Sequence, residues 1–306
     1  VLTVWDFETH AGASGMKRFV MHTVAAGLMM VGAAGLGGCN GARDDALNSV
    51  GAGPQGFMIK QIARGDRVRK YGLFVPLAYD PNQAYPVIIF LHGLGEGGSD
   101  AHKNMRVGLA PFVHDRQATF PFICIFPQSS SGSWNENSEA ATDVIAELDQ
   151  VSRDYHVDAD RVCLTGLSTG GYGTWAIGAK YKSRFAALAP MGTSASDTKD
   201  AQTLVDMPVW AFHNSGDMFA GVWNDTSMVA KINSLGGHAK INTYGALGHD
   251  VWETVYANGE LFNWMLAQRR HTAASMNSVM PTNPVAARVI PSGSPTVSAV
   301  SVTSPY

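Results

Sequence analysis

The chain has 306 residues, a net charge of −3 and 45% hydrophobic residues, enough for one domain with a sizeable core. No basic cluster stands out, which excludes nucleic acid as the partner. The three cysteines, Cys39, Cys124 and Cys163, are too few for a metal framework, and neither a metal nor a cofactor is expected.

In chain order, residues 1–15 carry no periodic pattern and read as an upstream extension before Met16. Lys17 and Arg18 then precede an apolar, glycine- and alanine-rich run, Phe19 to Leu36, which ends in Leu36-Gly37-Gly38-Cys39. This is the layout of a secretory signal over residues 16–38, and its glycines and closing cysteine favour a signal over a membrane-spanning helix. The small residues before Cys39 resemble the bacterial lipobox, so Cys39 is expected to be the lipidated N-terminus of an exported, membrane-anchored lipoprotein. Residues 39–54 form a linker, and residues 55–270 form the folded domain. Residues 271–306, rich in Ser, Thr, Pro, Val and Ala, read as a disordered tail.

Within the domain, "FMIKQIA" and "KYGLFVPLAY" predict opening antiparallel strands. "YPVIIFLHG" is a continuous apolar run ending in glycine, as suits a strand buried on both faces. "FPFICIFPQ", which holds Cys124, and "DRVCLTGLS", which holds Cys163, repeat that design, so both thiols read as buried. "FAALAPMG", "MPVWAFHNSGD" and "AKINTYGALGH" complete the series. The stretches between them are helical. "SEAATDVIAELDQVSRDY" spaces Val144, Ile145, Leu148 and Val151 for one helix face, with Ser138 as N-cap. "TGGYGTWAIGAKY", "TSMVAKINSLGG" and a closing "DVWETVYANGELFNWMLAQRR" follow. Strands alternating with helices imply a mostly parallel α/β sheet covered on both faces, with ligands at the carboxyl ends of its strands.

Gly166-Leu167-Ser168-Thr169-Gly170 fits G-x-S-x-G between a strand and a helix, the setting of a nucleophile elbow. Such a turn lifts the serine hydroxyl out of the sheet and sets the Thr169 amide, at a helix N-terminus, where an oxyanion would develop. A serine hydroxyl needs a base. His249, after the last strand and before the last helix, is the candidate; His238 precedes that strand and belongs at its other end. Asp217, after the penultimate strand, is the candidate acid, with Asp225 as competitor, while Asp250 reads as a helix cap. The loop after "VIIFLHG" offers the Leu94 amide as second oxyanion donor and His92 as a brace; Glu96 reads either as a loop anchor or as a substrate contact.

"FLHGLGEGGSD", "FPFICIFPQ", "DADRVCLTGLSTGGYGTWAIGAKYKSRFAALAPM", "PVWAFHNSGD" and "GHDVWETVY" together resemble the α/β-hydrolase superfamily. More narrowly, they resemble its esterase and predicted-peptidase branch, near the phospholipase/carboxylesterase, dienelactone-hydrolase-like and feruloyl-esterase-like groups. The resemblance runs from about Tyr71 to Gln268. It implies a mostly parallel eight-stranded sheet with helices on both faces, and Ser168, Asp217 and His249 as a catalytic triad. Asn214 departs from it, since relatives usually have glycine there.

The activity this implies is hydrolysis of a small-molecule or polymer-linked ester. A serine peptidase of the prolyl-oligopeptidase-like class and a non-catalytic surface lipoprotein are the other readings. Short-acyl or aromatic esters are expected as substrates, because residues 193–206 leave no room for a cap domain and Trp134 and Trp252 stand where they would wall the cleft.

Overall fold

The computed structural model describes residues 54–195 and 197–270; the signal-like segment with Cys39 and the segment after residue 270 lie outside the described residues. Eight strands form one sheet: β1 (Gly56–Arg64), β2 (Arg67–Val75), β3 (Tyr85–Leu91), β4 (Ile123–Phe126), β5 (Val157–Leu167), β6 (Ala187–Met191), β7 (Trp210–Asn214) and β8 (Lys240–Tyr244). Their order is β1-β2-β4-β3-β5-β6-β7-β8. β1 pairs antiparallel with β2, and β2 with β4; the pairs from β4 through β3 to β8 are parallel. The sheet is therefore the mostly parallel one expected. The parallel strands end together on one edge, where the crossover loops gather.

Among the described residues, six α-helices flank the sheet: α1 (Leu109–Asp115), α2 (Glu139–Asp154), α3 (Thr169–Lys180), α4 (Trp223–Ser234), α5 (Val251–Asn258) and α6 (Glu260–Ala267). The alternation of β3 shows how two cores arise. Val87, Ile89 and Leu91 pack into one apolar cluster with residues of α2, α3 and α4. Ile88 and Phe90 face the other, with α1, α5 and α6. Cys124 and Cys163 are buried and free. Burial pushes the Cys163 thiol up to about 12, leaving it inert.

Ser138 caps α2, accepting from the Ala141 N–H at 3.2 Å. The closing segment expected as one helix is two, α5 and α6, because Gly259 adopts φ 79° and redirects the chain between them. That turn lets Tyr256 and Phe262 lie on the same side of the sheet, rings 6.0 Å apart. Among the described residues no helix is long and apolar enough to cross a membrane.

α2 also carries a buried acid, Glu147, whose Oε2 meets no hydrogen-bond partner. Burial, reinforced by the nearby Asp143 carboxylate, holds this carboxyl well above the usual 4.5. The folded chain thus keeps a proton there that the unfolded chain releases once pH exceeds about 4.5, so stability falls as pH rises toward the folded value. Glu147→Gln, which cannot ionise, is expected to raise Tm by about 3 °C or more at pH 8 and to change it little at pH 4, as read by calorimetry.

Candidate active site

The turn at Ser168 is made possible by its glycines. Ser168 leaves β5 with φ 56° and ψ −115°, a conformation that L-residues rarely hold, and α3 begins at the next residue. A Cβ on Gly166 would run into the Gly170 carbonyl oxygen, and one on Gly170 into the Leu91 carbonyl oxygen at the end of β3. A Cβ on Gly171 would meet the Met191 carbonyl oxygen at 2.8 Å. The elbow is thus wedged between the ends of β3 and β6, mostly against backbone atoms. Ser168 is tied to the end of β6 and the loop after it: its N–H donates to the Met191 carbonyl at 2.9 Å, and its carbonyl accepts from Ser194 N–H at 3.1 Å.

Asp217 and His249 meet from two loops that are themselves stitched together. After β7, the N–H groups of Ser215 and Gly216 donate to the carbonyls of Tyr244, which ends β8, and Ala246 just beyond it. Asn214 Nδ2 donates to the Gly248 carbonyl at 2.8 Å, beside His249. The asparagine that departs from the family pattern is therefore an anchor for the histidine turn. With these ties in place, His249 Nδ1 and Asp217 Oδ2 are 2.5 Å apart, the carboxylate fully buried and the imidazole half-buried.

The Asp217 carboxylate ends an Asx-type turn. Its Oδ1 accepts from the N–H of Phe219 at 2.8 Å and of Ala220 at 3.0 Å. Burial disfavours its charge, but the Ala220 N–H, the His249 bond and the Phe219 N–H outweigh that, and the carboxyl lies below its usual value. On the other side, His249 adjoins Gly192: a Cβ there would lie 3.4 Å from Cε1 of the imidazole. Gly192 directly follows Met191, the residue to which Ser168 is bonded, so serine and imidazole flank the same strand end.

Asp225, the competing acid, is fully buried and takes different partners. Its Oδ1 accepts from Trp175 Nε1 at 2.8 Å; its Oδ2 accepts from Thr193 N–H at 3.1 Å and lies 2.7 Å from His213 Nδ1. His238 is exposed just before β8, at the far end of that strand. Asp250 sits at the N-cap position of α5, but its side chain makes no capping bond.

Leu94 opens a short 3-10 helix, Leu94–Glu96, and Thr169 opens α3, so neither N–H has an acceptor within its own helix. The loop at residues 129–133 joins them. Thr169 Oγ1 donates to the Gly132 carbonyl at 2.7 Å, and a Cβ on Gly132 would lie 2.6 Å from the Leu94 carbonyl oxygen. Gly93 lies against the serine, a Cβ on it reaching Ser168 Cβ at 3.5 Å, and Glu96 folds back over the same glycine. His92 is buried behind this loop. Its Nδ1 donates to the Gly93 carbonyl at 2.6 Å, and its Nε2 accepts from Ser129 N–H at 3.1 Å. Burial lowers its pKa to about 4, so the ring is neutral and braces the loop.

The two tryptophans expected to wall the cleft are not at its surface. Trp134 is 1% exposed; its Nε1 donates to the His92 carbonyl at 2.8 Å, and its ring stands edge-on to His92. Trp252 is 8% exposed and stands edge-to-face with His249, ring centres 5.1 Å apart. Both brace loops from behind, because a wide apolar ring gains more from burial in these loop bases than from exposure.

The exposed apolar surface is elsewhere. Met218 and Phe219, directly after Asp217, are 89% and 87% exposed, and Trp223 at the start of α4, Leu247 before His249 and Leu94 are also exposed. Phe219 lies 6.0 Å from the His249 ring. The sequence reading passed over Met218, Phe219, Trp223 and Leu247, although "GDMFAGVW" puts Met218 and Phe219 in the loop after β7 and Trp223 at the first position of a helix, where no core awaits them. A polar cleft of about 250 Å³ between Arg69, Gln128 and Ser130 lies on the other side of the 129–133 loop, and Ser168, Asp217 and His249 do not line it.

Comparisons with known proteins fit this arrangement. Residues 126–203, about a quarter of the chain spanning β5 and the elbow, match the model of the prolyl oligopeptidase family. A bifunctional acetylxylan esterase/xylanase of Neocallimastix patriciarum is 25% identical over 153 residues, covering 49% of this chain but only 21% of that protein. Among solved structures, a thermostable esterase is 28% identical with TM-score 0.64, over 70% of this chain and 63% of that one. A ferulic acid esterase gives TM-score 0.54 at 16% identity, over 68% of this chain and 96% of that one. The acylaminoacyl peptidase of Pyrococcus horikoshii gives TM-score 0.54 at 14% identity, over 72% and 43% of the two chains, a likeness of fold alone.

Proposed function

We propose that this chain, an α/β-hydrolase resembling the esterase branch of that superfamily, is a serine esterase that cleaves carboxylic esters through an acyl-enzyme. The observation that carries the reading is the buried Asp217 carboxylate 2.5 Å from His249 Nδ1, at the strand end that also holds the Ser168 elbow. In this mechanism Ser168 Oγ attacks the ester carbonyl while His249 Nε2 takes its proton. Asp217 fixes the tautomer and stabilises the imidazolium that forms. The Leu94 and Thr169 amides receive the oxyanion. Collapse of the tetrahedral species expels the alcohol, which takes the proton from His249. A water activated by the same imidazole then releases the acid and frees Ser168.

Short-acyl and aromatic esters are the proposed substrates, as small molecules or linked to polymers. With Trp134 and Trp252 buried, support for aromatic esters comes from the exposed Phe219 ring 6.0 Å from His249, with Met218 and Trp223 exposed nearby in the chain. Methyl ferulate and methyl butyrate share a leaving group, so their comparison isolates the acyl side. Phe219→Ala and Trp223→Ala are expected to lower kcat/KM for methyl ferulate by about 5- to 10-fold each. Methyl butyrate should stay within about twofold. Equal kinetics of wild type and both variants on methyl ferulate would refute this aromatic contact.

The match to the prolyl oligopeptidase family favours one second reading, a serine peptidase using the same residues. p-Nitrophenyl acetate beside a peptide anilide separates the two, and hydrolysis of neither leaves a binding lipoprotein. The lipobox-like Gly37-Gly38-Cys39 supports export and membrane anchoring, which would bring the site to extracytoplasmic esters.

A further inference from the structure

Beside the proposed triad lies a second buried histidine that the mechanism does not use. We infer that His213 is a buried imidazolium and a positioning residue, pinning the turn that presents Asp217 to His249. His213 lies on β7 and is fully buried. Both ring nitrogens face oxygen: Nδ1 is 2.7 Å from Asp225 Oδ2, and Nε2 is 2.8 Å from the Ala220 carbonyl. A carbonyl only accepts, so Nε2 carries a proton. Both oxygens of Asp225 already accept N–H bonds, one from Trp175 and one from Thr193, which favours the carboxylate and calls for a proton on Nδ1 as well. Burial opposes the imidazolium, but the Asp225 bond and charge outweigh it and hold the pKa above its usual value.

The mechanical consequence runs through Ala220. Its N–H donates to Asp217 Oδ1 while its carbonyl accepts from His213. The two main-chain polar groups of one residue therefore link the cation to the carboxylate that holds His249. His213 Nε2 is also 3.5 Å from Asp217 Oδ2, so the imidazolium lies between two carboxylates that would otherwise repel. The ionisable groups around it are Asp225 on α4, Asp217 on its own loop and, beyond Asp217, His249. The charge state stands on geometry alone; the effect on turnover rests on the proposed triad.

Two measurements test this. Nitrogen-15 NMR of the full chain, with His213 assigned through its own backbone, should show both ring nitrogens still protonated at about pH 6.5, where an unperturbed imidazole is half neutral. A neutral imidazole pattern at that pH overturns the inference whether or not the protein proves to be an esterase. His213→Gln keeps one donor and loses the charge. It is expected to lower kcat on p-nitrophenyl acetate by about 10- to 100-fold with KM within about twofold. A folded variant with unchanged kcat overturns the positioning role. A wild type that hydrolyses no ester removes the proposed function and leaves the NMR result to decide the charge.

Discussion

Ser168→Ala is expected to lower turnover of p-nitrophenyl acetate by about a millionfold, since the nucleophile of a triad acts as a unit with its base. The fold should survive. The elbow is held by main-chain bonds of Ser168 to Met191 and Ser194 and by the glycines around it, none of which involves the hydroxyl. Circular dichroism and Tm should therefore match wild type to within about 2 °C. Labelling by a fluorophosphonate probe should disappear in the same variant. Persistent labelling would mean that another serine is the nucleophile.

Asp217→Asn and Asp225→Asn should separate into two kinds of damage. Asp217→Asn is expected to cut kcat by about ten-thousandfold, because an amide facing Nδ1 favours the wrong imidazole tautomer. Asp225→Asn should leave turnover per folded molecule within about tenfold at low temperature. It should instead cost about 3–5 kcal/mol of stability, since it strips the partner from a buried cation. Active-site titration alongside calorimetry distinguishes these results. If Asp225→Asn abolishes turnover in folded protein while Asp217→Asn spares it, the acid has been misassigned.

Much of this was legible in the sequence because strands buried on both faces leave an unmistakable mark. "YPVIIFL" became β3, entirely buried, and its neighbours followed the same rule. Asp217 and His249 could be paired from their places after β7 and β8, since parallel strands bring such loops to one edge. What escaped depends on which way a ring turns. A tryptophan in a loop reads the same whether it faces solvent or the loop base, so Trp134 and Trp252 were expected at the cleft and instead lie behind it. Gly259 inside the closing helical pattern was visible, yet only its backbone geometry shows that it splits α5 from α6. His213 was one histidine among many until its two oxygen partners, contributed by later residues, were in view.

The steric wedge at Gly166, Gly170 and Leu91 has a bearing on how such a protein can change. The serine and the amide beside it are aligned chiefly by main chain packed against main chain, with Thr169 Oγ1 tying the turn to Gly132. Met218 and Phe219 on the loop after β7 and Trp223 at the start of α4, by contrast, are largely exposed to solvent. On the proposed function, reactivity and selectivity thus fall in separable parts of the molecule. Replacing the exposed residues in a library should yield variants that differ in which ester they prefer while keeping the same reactive serine. Substitutions at the wedge should yield almost no active protein at all.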